Sequence, residues 1–171
     1  MWKQLKLPRQ SARVRAENRA LWNEGRSREE ADFYTIGYEG RSIDQLLELL
    51  READVKSLID IRFAPISMYR PELNKPNLCK SLDSIGISYL HVPELGVPKD
   101  IRAKAIGMEN RDVIWKWYDT YVVDQFVRNL HWFMNIEHPA ALMCLEADPT
   151  ECHRHRLFLA LENQGLHGFD L

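Results

Sequence analysis

A chain of 171 residues with 45% hydrophobic content is long enough to bury one core of its own, so one domain is the default expectation. With 23 Lys and Arg against 25 Asp and Glu, a formal net charge of −2, the balance excludes a chain committed as a whole to nucleic acid or to an anionic membrane, and any polyanion contact has to be local. No run approaches the roughly 20 apolar residues of a membrane span. The start Met1-Trp-Lys-Gln-Leu-Lys6 lacks the apolar centre of a signal peptide, and Cys79, Cys144 and Cys152 are too few and too odd in number for a secreted disulfide framework. Reduced thiols in a cytoplasmic protein with no membrane partner are the expectation.

In chain order, residues 1–30 come first as a basic extension: Lys3, Lys6, Arg9, Arg13, Arg15 and Arg19 face only Glu17. This is either a phosphate-contacting arm or a solvated helix or tail, with Trp22 available to pin it. From residue 31 to 171 the pattern is that of one α/β domain. Phe33-Tyr-Thr-Ile-Gly-Tyr38 predicts a first strand, stopped by Glu39-Gly40. Ser42 offers an N-cap, and Ile43, Leu46, Leu47, Leu49 and Leu50 give the apolar stripe of a helix ending near Ala53. Val55 to Ile61 predicts a second strand, followed by a polar loop containing Arg70 and Pro71. Asn77 to Ile85 predicts a short helix closed by Gly86, and Ile87 to Val92 a third strand. Val113, Trp117, Tyr121, Phe126, Leu130 and Phe133 predict one long helix over Arg111 to Asn135, and Ala140 to Leu145 a fourth strand. Beyond it, Asp148 as N-cap, Pro149 at the first helical position and Glu151 three residues after the cap predict a helix starting near Pro149, with Cys152 to Arg156 in or just after its first turn.

Strands alternating with helices predict a mainly parallel sheet covered on both faces, a Rossmann-like or flavodoxin-like sandwich. In such sheets ligands bind beyond the carboxyl ends of the strands. Each predicted strand here ends in polar chemistry: Tyr38-Glu39-Gly40-Arg41, Asp60-Ile61-Arg62, His91 with Glu94, and Cys144 with Glu146. No G-x-G-x-x-G and no Walker sequence is present, so no dinucleotide or P-loop site is supported and no cofactor is named.

The segments Thr35-Ile-Gly-Tyr-Glu-Gly-Arg-Ser42, Ile59-Asp-Ile-Arg62, Gly86-Ile-Ser-Tyr-Leu-His91, Leu95-Gly96, Cys144-x-Glu146 and Cys152-His-Arg154 together resemble the domain of unknown function 488 family, over about positions 33 to 165. The resemblance implies a small cytoplasmic prokaryotic α/β protein and supports a site at the strand ends, without a settled reaction. Two departures stand out. The first loop reads Gly-Tyr-Glu-Gly where many members look like Gly-His-Ser-Asn, which leaves Tyr38 where a histidine would be, and the basic extension lies outside the resemblance.

Three readings of the site follow. In the first, an enzyme uses Cys152 as a nucleophile activated by the helix terminus, by His153 or by nearby arginines, with Asp60, Glu146 or His91 as proton carriers and Arg62, Arg154 and Arg156 holding a phosphate or carboxylate. An H-C-x-x-x-x-x-R loop is absent, and the alternative is that Cys144 and Cys152 are small packing residues. In the second, Arg41, Arg62, Arg70, Arg154 and Arg156 form a cationic pocket for a nucleotide, nucleic acid or phosphorylated metabolite, with Tyr38 or Tyr69 for stacking. Its alternative is that Asp60 pairs with Arg62 or Arg154, and Glu146 with another arginine, so that the charges only order the loops. The third reading, a metal held by Cys144, Cys152 and His153 with His91 or Glu146, ranks last and no metal ligand is assigned, because neighbours 152 and 153 diverge on a helix and no C-x-x-C spacing is present.

Overall fold

The computed structural model describes residues 10–171; Lys3, Lys6 and Arg9 of the basic extension lie outside them. Five strands form one wholly parallel sheet: β1 (Phe33–Gly37), β2 (Ser57–Asp60), β3 (Ser88–His91), β4 (Ala140–Cys144) and β5 (Gly168–Asp170), in the order β3-β2-β4-β1-β5. The α/β class expected from the alternation is the class observed. Strand order follows from where the helices lie. Moving from β1 to β2 to β3, the chain crosses one face through α2 (Ile43–Glu52) and α3 (Lys75–Asp83), whose Leu46, Leu50, Leu78 and Leu82 pack with Tyr34, Ile36, Leu58 and Met143. The return to β4 and then β5 crosses the opposite face, through α4 (Lys99–Gly107), α5 (Asp112–Tyr118), α6 (Asp124–Arg128), α7 (His131–Met134) and α8 (Arg154–Asn163), against Phe33, Ile59, Ile61, Leu142 and Cys144. Crossovers of one hand require this reversal of face with direction.

β4 is the central strand, and all five of its residues are buried. An all-apolar strand covered by helices on both sides is what a parallel sheet demands. Ser42 caps α2 in a full capping box with Gln45. The N-terminal helix α1 (Ala12–Trp22) is seated on the body. Trp22 packs edge-on to Phe158 and His155, Asn18 donates to Asp148 at 2.6 Å, and Arg15 pairs with Glu39.

Two expected elements differ. The long helix over 111–135 is broken: a π-helical turn, Asp119–Val123, separates α5 from α6, and Asn129 and Leu130 separate α6 from α7. The helix expected at Pro149 is a 3-10 turn, Pro149–Glu151. Asp148 does cap Thr150 N, but Glu151 pairs with Arg111 instead of closing a box, and Cys152 is extended (φ −119, ψ 141), so α8 starts only at Arg154. Helix α4 and strand β5 had no counterpart in the sequence reading.

Among the described residues, no helix is long and apolar enough to cross a membrane.

Candidate functional site at the carboxyl edge of the sheet

β4 lies between β2 and β1, and its outgoing chain crosses to one face while theirs cross to the other. Connections diverging around one strand leave a crevice at its carboxyl end. Tyr38, Asp60, His91 and Cys144 stand at the ends of four parallel strands along this edge. Two close approaches shape it. A side chain on Gly37 would put its Cβ 1.8 Å from the Glu146 carbonyl oxygen, so only glycine lets the loop after β4 cross the end of β1. Gly96 likewise admits the Phe63 backbone, at 2.4 Å from where a Cβ would sit.

Register sorts the polar residues onto two faces. On the α2/α3 face, Asp60 is fully buried and accepts from Arg62 Nε at 2.9 Å and Nη2 at 2.6 Å, from the Arg62 backbone N–H, and from the Tyr89 hydroxyl at 2.6 Å. Burial works against the Arg62 charge, but the forked carboxylate outweighs it and raises the guanidinium pKa; burial and the same carboxylate push the Tyr89 phenol up. Arg62 Nη2 also donates to the Leu73 carbonyl, and His91 Nε2 lies 2.8 Å from the Arg62 carbonyl. Arg62 and Arg70 both approach the Tyr38 ring, at 5.4 and 5.9 Å from its centroid. Arg62 Nη1 is buried and makes no hydrogen bond of ordinary geometry, and the Tyr38 hydroxyl is a polar group beside the guanidinium.

On the α8 face, Arg154 is 0% exposed. Its Nε donates to Asp170 Oδ1 at 3.0 Å, Nη2 to Asp170 Oδ2 and to the Ala147 carbonyl, and Nη1 to the Glu146 carbonyl. Asp170 accepts also from Thr35. Burial opposes the Arg154 charge and Asp170 restores it with excess, so its pKa is raised. Cys144 Sγ lies 3.8 Å from His153 Nδ1, and His153 Nε2 lies 3.2 Å from the Ile61 carbonyl. The Tyr118 ring packs on His153 while its hydroxyl donates to the Leu95 carbonyl. Burial and neighbouring Cys144 push the Cys152 thiol up to about 11, against the pull of Arg154 and His153. It is therefore a neutral thiol at pH 7, and the helix terminus that was expected to activate it begins two residues later. Burial, with Cys152 nearby, lifts the Glu146 carboxyl to about 7 against Arg102 and His153, and Glu146 Oε2 is enclosed without a hydrogen-bond partner.

The remaining expected arginines are each taken up by partners of their own, Arg70 while it lies beside the Tyr38 ring. Arg156 pairs with Asp119 and Arg70 with Glu72. Arg41 donates to the carbonyls of Gly37 and Leu171, and burial, with Arg19 nearby, lowers its pKa to about 10. The pairing of Asp60 with Arg62 is one of those weighed from the sequence; among the described residues the Glu146 carboxylate forms no ion pair with an arginine, and Arg154 takes Asp170. Sequence reasoning assigned no role to Asp170, Tyr89, Tyr118 or Arg102. Tyr89 sat inside a quoted motif, and its alternation with His91 on one face of β3 was the available signal; Asp170 offered none.

The family model described as Domain of unknown function DUF488 matches residues 42–161. That span contains β2, β3, β4 and the Cys152-His-Arg154 segment, and begins just after the first strand and its loop. No curated protein and no solved structure matches the chain.

Proposed function

This chain belongs to the family described as Domain of unknown function DUF488, and we propose that it binds a phosphate-bearing ligand of the nucleotide class at the carboxyl edge of its sheet, around Arg62. One observation carries the reading: Arg62 is 5% exposed and forked onto Asp60, and its Nη1 makes no hydrogen bond of ordinary geometry, with the Tyr38 hydroxyl beside the guanidinium. A buried donor left unpaired costs about 1–3 kcal/mol, and an acceptor brought by a ligand would remove that cost. A phosphate oxygen is the acceptor that a planar guanidinium suits best.

The surroundings favour a nucleotide over inorganic anion alone. Tyr38 lies between the two guanidinium groups, and the loop after β2 leaves Met68 90% and Tyr69 91% exposed beside Arg70. Arg70 ties that loop to the site by donating to the Tyr38 carbonyl. Exposed aromatic faces next to cations are the ordinary means of holding a base. Asp60 and Tyr89 act here as positioning residues, and Arg41, Arg154 and Arg156 hold the loops. The neutral Cys152 thiol has no nucleophilic part in this reading.

Thermal unfolding with nucleotides, sugar phosphates, short DNA and short RNA tests it. A ligand at 100 times its Kd contributes about 2.7 kcal/mol, or a rise in Tm of roughly 5–10 °C for a chain this size. One phosphorylated class should give that rise, and Arg62→Lys, which keeps a charge for Asp60 but loses Nη1, should cut it to about half or less. If no phosphorylated compound raises Tm, or the rise is as large in Arg62→Lys as in the native chain, the proposal fails.

A further inference from the structure

Beyond the anion site, we propose that Cys144, Cys152 and His153 form a zinc site of the open kind, with three protein ligands and a fourth position for solvent facing Glu146. The three ligand atoms lie within 4.8 Å of one another and all three residues are buried. In tetrahedral zinc, with Zn–S near 2.3 Å and Zn–N near 2.0–2.1 Å, sulfur and nitrogen stand about 3.5 Å apart. Cys144 Sγ and His153 Nδ1 stand 3.8 Å apart, so the spacing is within a few tenths of an ångström of that geometry and a turn of the ring completes it.

The objection that neighbours on a helix diverge does not apply. Cys152 is extended, and His153 is the cap residue before α8, so both side chains turn toward the end of β4. The imidazole is also held as a metal ligand is held. The Ile61 carbonyl can only accept, which puts the ring proton on Nε2 and leaves the Nδ1 lone pair free; Cys144 Sγ stands 3.8 and 3.9 Å from Nδ1 and Nε2, so a turn of the ring against Tyr118 aims Nδ1 at the metal. Outer-shell bonds of this kind set the tautomer and orientation of histidine ligands. Two thiolates with one imidazole select a soft or borderline cation over magnesium or calcium.

Glu146 supplies the second, independent observation. Its Oε2 is enclosed without a partner, while the carboxyl lies beside the Cys152 thiol. It lies outside the tight group of three, which suits a carboxylate bonded to a metal-held water better than a direct ligand.

The test uses the full chain purified under reducing conditions, with zinc supplied, then dialysed. Elemental analysis should find about one zinc per chain, and cobalt(II) in its place should give thiolate charge-transfer absorption and tetrahedral visible bands. Cys144→Ser, Cys152→Ser and His153→Gln should each lower metal content at least tenfold while far-ultraviolet circular dichroism stays native. Cys79→Ser, at an exposed thiol, and Glu146→Gln should keep it. A chain that takes up no zinc and gives no cobalt–thiolate band is evidence against the site, as is metal retained in both cysteine variants; loss of metal in Glu146→Gln overturns the open position. Variants that unfold leave the wild-type cobalt spectrum to decide.

Discussion

Arg62 and Arg154 are the same residue type at the same edge of one sheet, each forked onto a buried aspartate, yet they differ in what is left over. On the α8 face every nitrogen of Arg154 has an acceptor in Asp170 or in the carbonyls of Glu146 and Ala147. On the α2/α3 face Arg62 satisfies Nε and Nη2 and leaves Nη1 open. Burial and a carboxylate partner do not distinguish these two arginines; the unmet donor of Arg62 does.

The largest effect should come from breaking the closed pair. Removing one partner of a buried ion pair costs about 3–5 kcal/mol, so Arg154→Ala should lose that much in chemical denaturation, with the loops at Gly37 and Glu146 loosened. A loss under 1 kcal/mol would mean that Arg154 is not the anchor its bonds describe. Gly37→Ala comes next. Its Cβ has no room beside the Glu146 carbonyl, and overpacking of this kind costs about 1–3 kcal/mol; unchanged stability would show that the loop after β4 sits farther from β1.

Arg62→Lys sharpens the contrast, because it should leave Asp60 paired and most stability intact while weakening a phosphorylated ligand. A charged hydrogen bond contributes about 1.5–3 kcal/mol, which is roughly 10- to 100-fold in Kd. Arg154→Lys should do the reverse, and equal effects at the two positions would erase the distinction. Tyr89→Phe should give the smallest change, about 1.5 kcal/mol, since Asp60 keeps three other donors. A loss of ligand affinity larger than its loss of stability would make Tyr89 more than a support.

Much of the fold was legible because apolar runs and caps are local. Strands β1 to β4, the Ser42 cap and the placing of Tyr38, Asp60, His91 and Cys144 at strand ends need only a few neighbouring residues. β5 is three residues long and begins with a glycine that lets Phe33 and Phe158 approach, too short for alternation to register. The π-turn inside 111–135 keeps the apolar stripe while changing its pitch, so spacing alone reads it as one helix. At the site, Asp60–Arg62 was within reach at two residues' separation. The partner of Arg154 was not, because β5 brings Asp170 to it only through the sheet. The extended Cys152 was hidden for a related reason: Asp148-Pro149 signals a helical start, and the 3-10 turn that uses the signal ends before the thiol.

The most direct measurement is nitrogen-15 NMR of the arginine Nε–H groups in the chain of 171 residues, titrated with the phosphorylated compound that raises Tm most. An open Nη1 predicts that the Arg62 resonance moves with ligand while Arg154, already closed by Asp170, stays fixed. Movement of Arg154 with Arg62 unmoved would place the ligand on the other face and contradict the proposed site.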